Sequence, residues 1–174
     1  NSKYLLTATL RSDGSSRFDK AARWGLFPSI AFAWQLKEES FLSAVDVLSD
    51  LKLRVGYGVT GQQSLPNDLP NGYYPYLALY RESNQFAQYQ LGDTFYVTQR
   101  PEPYDALIKW EETTTYNLGL DFGFFNDNLT GSIEVFQKNT EDLLNNIGIA
   151  NGVNFSNFLT TNVGSMENQG IEIT

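Results

Sequence analysis

The 174 residues contain no Cys, no His and one Met, and twenty Asp and Glu against twelve Lys and Arg leave a net charge of −8. Without imidazole or thiolate, this chain alone builds no Ser-His-Asp triad, no disulfide, no iron–sulfur cluster and no His- or Cys-ligated zinc. The acidic balance and the lack of a basic stripe argue against nucleic acid as a partner, because binding it requires cations that displace counterions. Apolar residues reach only 41% although three Trp, ten Tyr and twelve Phe are present. That pairing suits a β protein in which alternate residues are apolar and rings lie on the surface. A helical membrane span needs roughly 18 consecutive apolar residues; the longest candidate, 25–34, is far shorter and contains Pro28.

Period-two alternation predicts six strands. The first, 3–11, puts Tyr4, Leu6, Ala8 and Leu10 on one side. The second, 24–36, is the clearest: Trp24, Leu26, Pro28, Ile30, Phe32, Trp34 and Leu36 alternate with mostly small or polar residues, Phe27 among them. After Ser40, the helical spacing of Phe41, Leu42, Val45 and Leu48 predicts a short helix. The third strand sets Leu51, Leu53, Val55, Tyr57 and Val59 against Lys52, Arg54, Gly56 and Gly58. The fourth sets Tyr116, Leu118, Leu120, Phe122 and Phe124 against Asn117, Gly119, Asp121 and Gly123. A fifth carries Leu129, Ile133 and Val135, and a sixth begins near Val163 and includes Ile171 and Ile173.

Two architectures alternate in this way: a soluble antiparallel β-sandwich, here a carbohydrate-binding module, and an antiparallel transmembrane β-barrel whose apolar face meets lipid. Strand length favours the barrel, since sandwich strands typically run about 5–6 residues. Ring placement agrees: Trp24 and Trp34 share a face, and their separation projects to roughly 25 Å at barrel tilt, the height of an outer-membrane apolar band. Trp24, Trp34, Trp110 and Phe124 are the expected membrane girdle. Charge agrees as well, because Lys52, Arg54, Asp121 and Glu134 all fall on the face opposite the apolar band. The connections 37–50 and 126–128 then share one end, and 12–23, 61–108 and 145–162 the other. Barrels in bacterial outer membranes close with at least eight strands, and an open edge in lipid leaves backbone groups unsatisfied. Six strands are therefore expected to be part of a single larger barrel domain to which all of 1–174 belongs.

Several strings carry a resemblance. Tyr4-Leu5-Leu6-Thr7-Ala8-Thr9-Leu10-Arg11-Ser12-Asp13-Gly14-Ser15-Ser16-Arg17-Phe18 and Arg23-Trp24-Gly25-Leu26-Phe27-Pro28-Ser29 resemble the barrel of the SusC/RagA family of TonB-linked outer-membrane transporters. So do Leu51-Lys52-Leu53-Arg54-Val55-Gly56-Tyr57-Gly58-Val59-Thr60-Gly61-Gln62-Gln63, Asn117-Leu118-Gly119-Leu120-Asp121-Phe122 and Asn162-Val163-Gly164-Ser165-Met166-Glu167-Asn168-Gln169-Gly170-Ile171-Glu172. The resemblance implies about six strands of a 22-stranded, plugged barrel. It also implies a multi-pass place in a bacterial outer membrane, a SusD-like surface lipoprotein as partner, and TonB as energy source through a region outside this chain. Glycan oligomers or peptides are the implied substrates. A passive porin or a siderophore-type receptor fits the alternation but not these strings.

No catalytic residue, metal ligand or cofactor is expected. The adjacent acids Glu38-Glu39, Glu111-Glu112 and Glu141-Asp142 point to opposite sides of an extended chain and cannot face each other across a sugar. Asp13-Gly14 reads as turn chemistry, without the acid spacing of a calcium loop. Lys52, Arg54, Asp121 and Glu134 are expected to line the lumen or face a plug. The 61–108 connection holds Tyr73, Tyr74, Tyr76, Tyr80, Tyr89, Tyr96 and Tyr104, with Phe86 and Phe95. These tyrosines either contact substrate or the lipoprotein, or supply a small core for the long loop itself.

Overall fold

The computed structural model describes residues 3–65 and 74–174. Six long strands form one antiparallel sheet: β1 (Tyr4–Gly14), β2 (Trp24–Gln35), β3 (Leu48–Gln62), β8 (Glu111–Phe124), β9 (Leu129–Glu141) and β12 (Met166–Ile173), paired in that order. Three two-stranded ribbons occupy the connections: β4 (Tyr80–Glu82) with β7 (Gln99–Pro101), β5 (Gln88–Leu91) with β6 (Thr94–Val97), and β10 (Leu144–Gly148) with β11 (Phe158–Asn162). All three lie at the same end of the sheet. Among the described residues no second sheet stacks on the six-stranded one, so the apolar face is not the inside of a sandwich. No helix there is long and apolar enough to cross a membrane, which says nothing of strands.

Register assembles the alternation of separate strands into rows that cross the whole sheet. One row reads Tyr4, Trp34, Leu53, Leu120, Ile133, Ile173, and the next reads Leu6, Phe32, Val55, Leu118, Val135, Ile171. Every member is apolar or aromatic, and most of these side chains are exposed. The third row on this side, Ala8, Ile30, Tyr57, Tyr116, Gln137, Gln169, turns polar at β9 and β12. On β2, by contrast, apolar residues continue through Pro28 and Leu26 to Trp24. The apolar band therefore crosses the rows obliquely, as expected of strands tilted to a membrane normal. The opposite side carries the row Leu5, Ala33, Arg54, Gly119, Glu134, Glu172, next to Gln35, Lys52, Asp121, Ser132.

The strands run close to the expected positions, with two departures. The chain after Ser40 does not become a helix: a single 3-10 turn spans Leu36–Glu38, and isolated turns follow. The backbone closes instead in short turns, Val45 N–H on Leu42 O at 3.1 Å and Leu48 N–H on Val45 O at 3.2 Å, and Lys37 Nζ staples them by donating to the carbonyls of Val45 (2.8 Å), Leu42 (3.2 Å) and Ser43 (3.4 Å). Leu48 then starts β3 with a bulge between Leu48 and Asp50. At the far end Val163 does not open the sixth strand. Its N–H donates to Leu143 O at 2.8 Å and extends the β10–β11 ribbon, and β12 begins at Met166.

The 36–47 connection is tied to the sheet through one carboxylate. Glu39 accepts from Tyr4 OH at 2.6 Å, from Trp34 Nε1 at 3.1 Å and from Lys3 Nζ at 3.3 Å. The Tyr4 hydroxyl, then the Trp34 indole and Lys3, hold Glu39 below the usual glutamate range. A depressed carboxylate pKa contributes stability above the ordinary value and loses it as pH falls through the depressed one. In the longer protein, Glu39→Gln should lower the melting midpoint at neutral pH, and the difference from wild type should shrink and vanish as pH falls from the ordinary glutamate range through the depressed value. Heat-modifiable electrophoretic migration across that pH series measures it. A second expectation concerns β1 and β12, each paired on one side only: expressed alone in detergent-free buffer, 1–174 should aggregate, and a dispersed NMR spectrum of a soluble monomer would contradict this.

Candidate functional site

On the polar side of the sheet, three strands bring their charges into one grid. Arg54 on β3 donates Nε to Asp121 Oδ2 at 2.9 Å and Nη2 to Asp121 Oδ1 at 2.8 Å, a two-pronged bond across to β8. The same Nη2 reaches Glu134 Oε2 on β9 at 3.3 Å. Lys52 Nζ lies 3.2 Å from Asp121 Oδ2, and Asn117 donates to Glu134. Gly119 makes this possible: the guanidinium lies across it, and a Cβ there would stand 2.9 Å from Nη2. The four residues expected on this side are thus neighbours in a connected network, with roughly a quarter to a third of each side chain open.

At the ribbon end a small core forms from parts of the chain far apart in sequence. Phe18, Phe27, Ile108 and Trp110 are buried together, Phe18 and Ile108 completely, with Tyr76, Val59, Leu65 and Leu144 packed around them. Trp110 packs on Phe18 and, edge-on, on Phe27, both at 5.4 Å between ring centroids, and its Nε1 donates to Arg23 O at 3.2 Å. The Phe27 ring covers both Gly25 and Gly61, where any Cβ would overlap it. This core anchors the 15–23 turn and the root of the 63–110 connection to β2 and β3.

The 63–110 and 142–165 connections are joined to each other by several side chains, Asn162 foremost. Asn162 Oδ1 accepts from Lys109 N at 2.8 Å, while its Nδ2 donates to Lys109 O at 3.0 Å and Asp142 O at 2.7 Å. Leu144 N–H donates to Glu111 Oε2 at 3.0 Å, Thr161 Oγ1 to Asp105 Oδ2 at 2.5 Å, and Arg100 Nη1 to Phe155 O at 3.4 Å. Lys109 Nζ sits 2.6 Å from Asp142 Oδ2, and that carboxylate, aided by Glu112 and Glu141, raises the lysine pKa. At the root of the ribbons the buried Glu102 carboxylate faces two cations, Arg81 Nε at 2.9 Å and Arg100 Nη2 at 3.4 Å.

Beyond these anchors the loop is rich in exposed rings. Tyr74, Tyr80, Tyr89, Tyr96 and Tyr104 are all exposed, as are Phe86, at 88%, and Phe95. Tyr89 and Tyr96 face each other across the β5–β6 ribbon. Tyr76 alone among the described tyrosines of this loop packs on the core, and Tyr73 lies outside the described residues. The core at the root of the loop is therefore built chiefly of Phe, Ile and Trp, with Tyr76 packed against it. Trp24 is 69% exposed on the apolar side, Trp34 lies at its opposite end, and Phe124 follows on β8. Trp110 departs from the girdle expectation: it precedes β8, is 7% exposed and belongs to the core. Among the described residues no group of three or more acidic side chains is arranged to hold a metal ion. Phe18, Ile108, Asn162 and Glu102 carry no individual signal in the sequence, and Glu39, noted there only as one of an adjacent acid pair, turns out to be bonded to Tyr4, Trp34 and Lys3. The one usable signal was Phe27, a large ring on the small and polar side of its strand.

Residues 1–174 match the family described as TonB dependent receptor-like, beta-barrel. The chain is 52% identical over 172 residues to the TonB-dependent receptor SusC of Bacteroides thetaiotaomicron, covering 99% of this chain and 17% of that protein. It is 37% identical over 173 residues to the TonB-dependent receptor P39 of Formosa agariphila, covering 99% of this chain and 15% of that protein. Among solved structures it is similar to a chain of the RagAB peptide transporter, with a TM-score of 0.79, 26% identity, and coverage of 98% of this chain and 17% of that one. The chain thus spans less than a fifth of the length of these relatives.

Removing the Asn162 amide should loosen the Lys109 backbone without disturbing the strands, while Thr161, Arg100 and the Lys109–Asp142 pair still hold the two connections together. In Asn162→Ala of the longer protein, the Lys109 amide should exchange hydrogen about tenfold faster, corresponding to the loss of one to two net hydrogen bonds. Amides in the centre of β8 and β9 should be unaffected.

Proposed function

We propose that this chain, which belongs to the TonB-dependent receptor β-barrel family, forms part of the wall and external loops of an outer-membrane importer. The observation that carries the reading is the sheet itself. Its apolar rows run across all six strands on one side, its charges lie on the other, and every ribbon-bearing connection emerges at one end. Such a sheet has its apolar side in lipid and its ribbons outside the cell. Trp24, Trp34 and Phe124 then lie near the edges of the apolar band, where aromatic rings are favoured. Lys52, Arg54, Asp121 and Glu134 face a plug or the path between plug and wall. TonB acts through a part of the protein outside this chain, and nothing in the wall performs chemistry.

The substrates are glycan oligomers or peptides, in keeping with the SusC relative and with the peptide transporter named for the similar structure. The external ribbons meet a SusD-like surface lipoprotein. Isolated two-stranded ribbons are marginal in water, and β5–β6 exposes Tyr89, Leu91, Phe95, Tyr96 and Val97 with Asp93 as its one charge between 84 and 98. Rings of this kind gain by burial against a protein surface and through their hydroxyls. Replacing 84–98 by Asn-Gly in the full-length transporter keeps a turn for the β4–β7 ribbon, whose Glu82 and Gln99 are paired, and leaves the Trp110 core in place. The expected result is normal heat-modifiable migration, loss of lipoprotein co-purification and loss of uptake. Unchanged co-purification and unchanged growth on the substrate would refute a role for this ribbon.

A further inference from the structure

The apolar side of the sheet is not uniformly covered by its own side chains. Between its second and third rows runs an open groove of about 690 Å3 that crosses β3, β8, β9 and β12. Its lower wall is Val55, Leu118, Val135 and Ile171; its upper wall is Tyr57, Tyr116, Gln137 and Gln169. Gly56 and Gly170 lie in its floor, where their backbone belongs to the intervening row. The upper wall changes character along its length, from phenols on β3 and β8 to carboxamides on β9 and β12.

One row further toward the ribbon end stand Asn139 and Glu167, paired across β9 and β12. Gln137 Nε2 donates to Glu167 Oε1 at 2.9 Å and toward Asn139 Oδ1 at 3.4 Å. Glu112 and Glu141 follow, again paired across strands. Reading outward along β9 and β12, the surface passes from hydrocarbon to amide to carboxylate. Amides at the edge of a bilayer are costly unless a polar group of the lipid meets them. Carboxylates just above favour a cation.

We infer that this groove binds one acyl chain of an outer-leaflet lipid with an ammonium headgroup, its ester linkage against Gln137 and Gln169 and its ammonium toward Glu167. The inference rests on the reading that the apolar side lies in the membrane. In that setting the groove is filled by lipid, and the order hydrocarbon, amide, carboxylate matches acyl chain, ester, ammonium. An anionic lipid meets the same hydrocarbon but is repelled by Glu167, Glu112 and Glu141.

The test uses the full-length transporter reconstituted in equal parts phosphatidylethanolamine and phosphatidylglycerol, with lipids retained through detergent extraction counted by native mass spectrometry. The ethanolamine lipid should be retained in about threefold preference, the size expected of one exposed ion pair. Leu118→Trp fills the groove and should abolish retention. Leu120→Trp, one row lower on the same side of β8 and outside the groove, should leave retention intact. Glu167→Gln should keep a retained lipid but equalise the two headgroups. Equal retention in the two tryptophan variants, preference for phosphatidylglycerol, or no retained lipid in a heat-modifiable, detergent-soluble barrel would each overturn the inference. Solubility without detergent would instead overturn the membrane reading beneath it.

Discussion

The rest of the structure depends on register. Because side chains alternate with a period of two, shifting any one strand by a single residue moves its whole apolar set to the other side. Here both sides penalise such a slip. On the apolar side, rows that run from Tyr4 to Ile173 and from Leu6 to Ile171 remain unbroken only in the observed pairing. On the other side, Arg54 finds Asp121 and Glu134 only if β3, β8 and β9 are aligned as they are. A slip of β3 would carry Arg54 into the apolar face, at a cost of about 2–4 kcal/mol near a bilayer midplane, and would leave Asp121 and Glu134 without it. The individual ion pairs are part-exposed and each contributes little. Their effect is selective: they make the alternative pairing worse.

A wall fixed in this way can serve as a foundation for irregular chain. Loops carry function best when a rigid scaffold positions them, and here the positioning runs through few contacts. Phe27 projects from β2 over Gly25 and Gly61, so that the end of β3 passes beneath its ring. Trp110 then packs on that ring, and Phe18 on Trp110, from two other connections. Asn162 extends the anchorage from the 63–110 connection to the 142–165 connection by bonding both backbone groups of Lys109. What lies beyond these anchors, the β5–β6 ribbon above all, is exposed on both faces. The transition from anchored to exposed takes place within one loop, with the Glu102 carboxylate and its two arginines at the root of the ribbons.

What was legible in the sequence follows from the range of the interactions responsible. The six strands and the sidedness of Lys52, Arg54, Asp121 and Glu134 are written in period-two alternation, a local property, and the structure adds that the four side chains touch. The chain after Ser40 was misread: it has helical apolar spacing, yet its backbone closes in short turns that Lys37, a residue outside that pattern, staples from upstream. Trp110 was misread for a different reason. Parity predicts a side only within a strand, and Trp110 stands one residue before β8, where the chain is free to turn its ring toward Phe18 and Phe27. Asn162 lay inside a recognised string, yet its partner Lys109 belongs to another connection and Asp142 lies at the far end of its own, and no local pattern reveals them. Phe27 was visible as an anomaly on its strand but became interpretable only once Gly61 and Trp110 were seen against it.

The net charge of −8 also acquires a location. Inside the sheet, Lys52 and Arg54 are matched by Asp121 and Glu134, so the wall grid is close to neutral. Where the strands meet the ribbons stand Glu111, Glu112, Glu141, Asp142 and Glu167, of which Asp142, Glu112 and Glu141 act on Lys109. Lys109 is held by Asp142 and raised in pKa by its neighbours, so it stays charged and offsets one of these carboxylates. This band at the foot of the loops still carries net negative charge, as does the opposite end of the sheet through Glu38, Glu39, Asp46 and Asp50; screening limits the reach of the band to about 8–10 Å at ordinary ionic strength. Within that distance it acts on whatever touches the outer surface just above the apolar rows. It therefore sorts headgroups and other close neighbours by charge, while the aromatic ribbon farther out makes contact through apolar area instead.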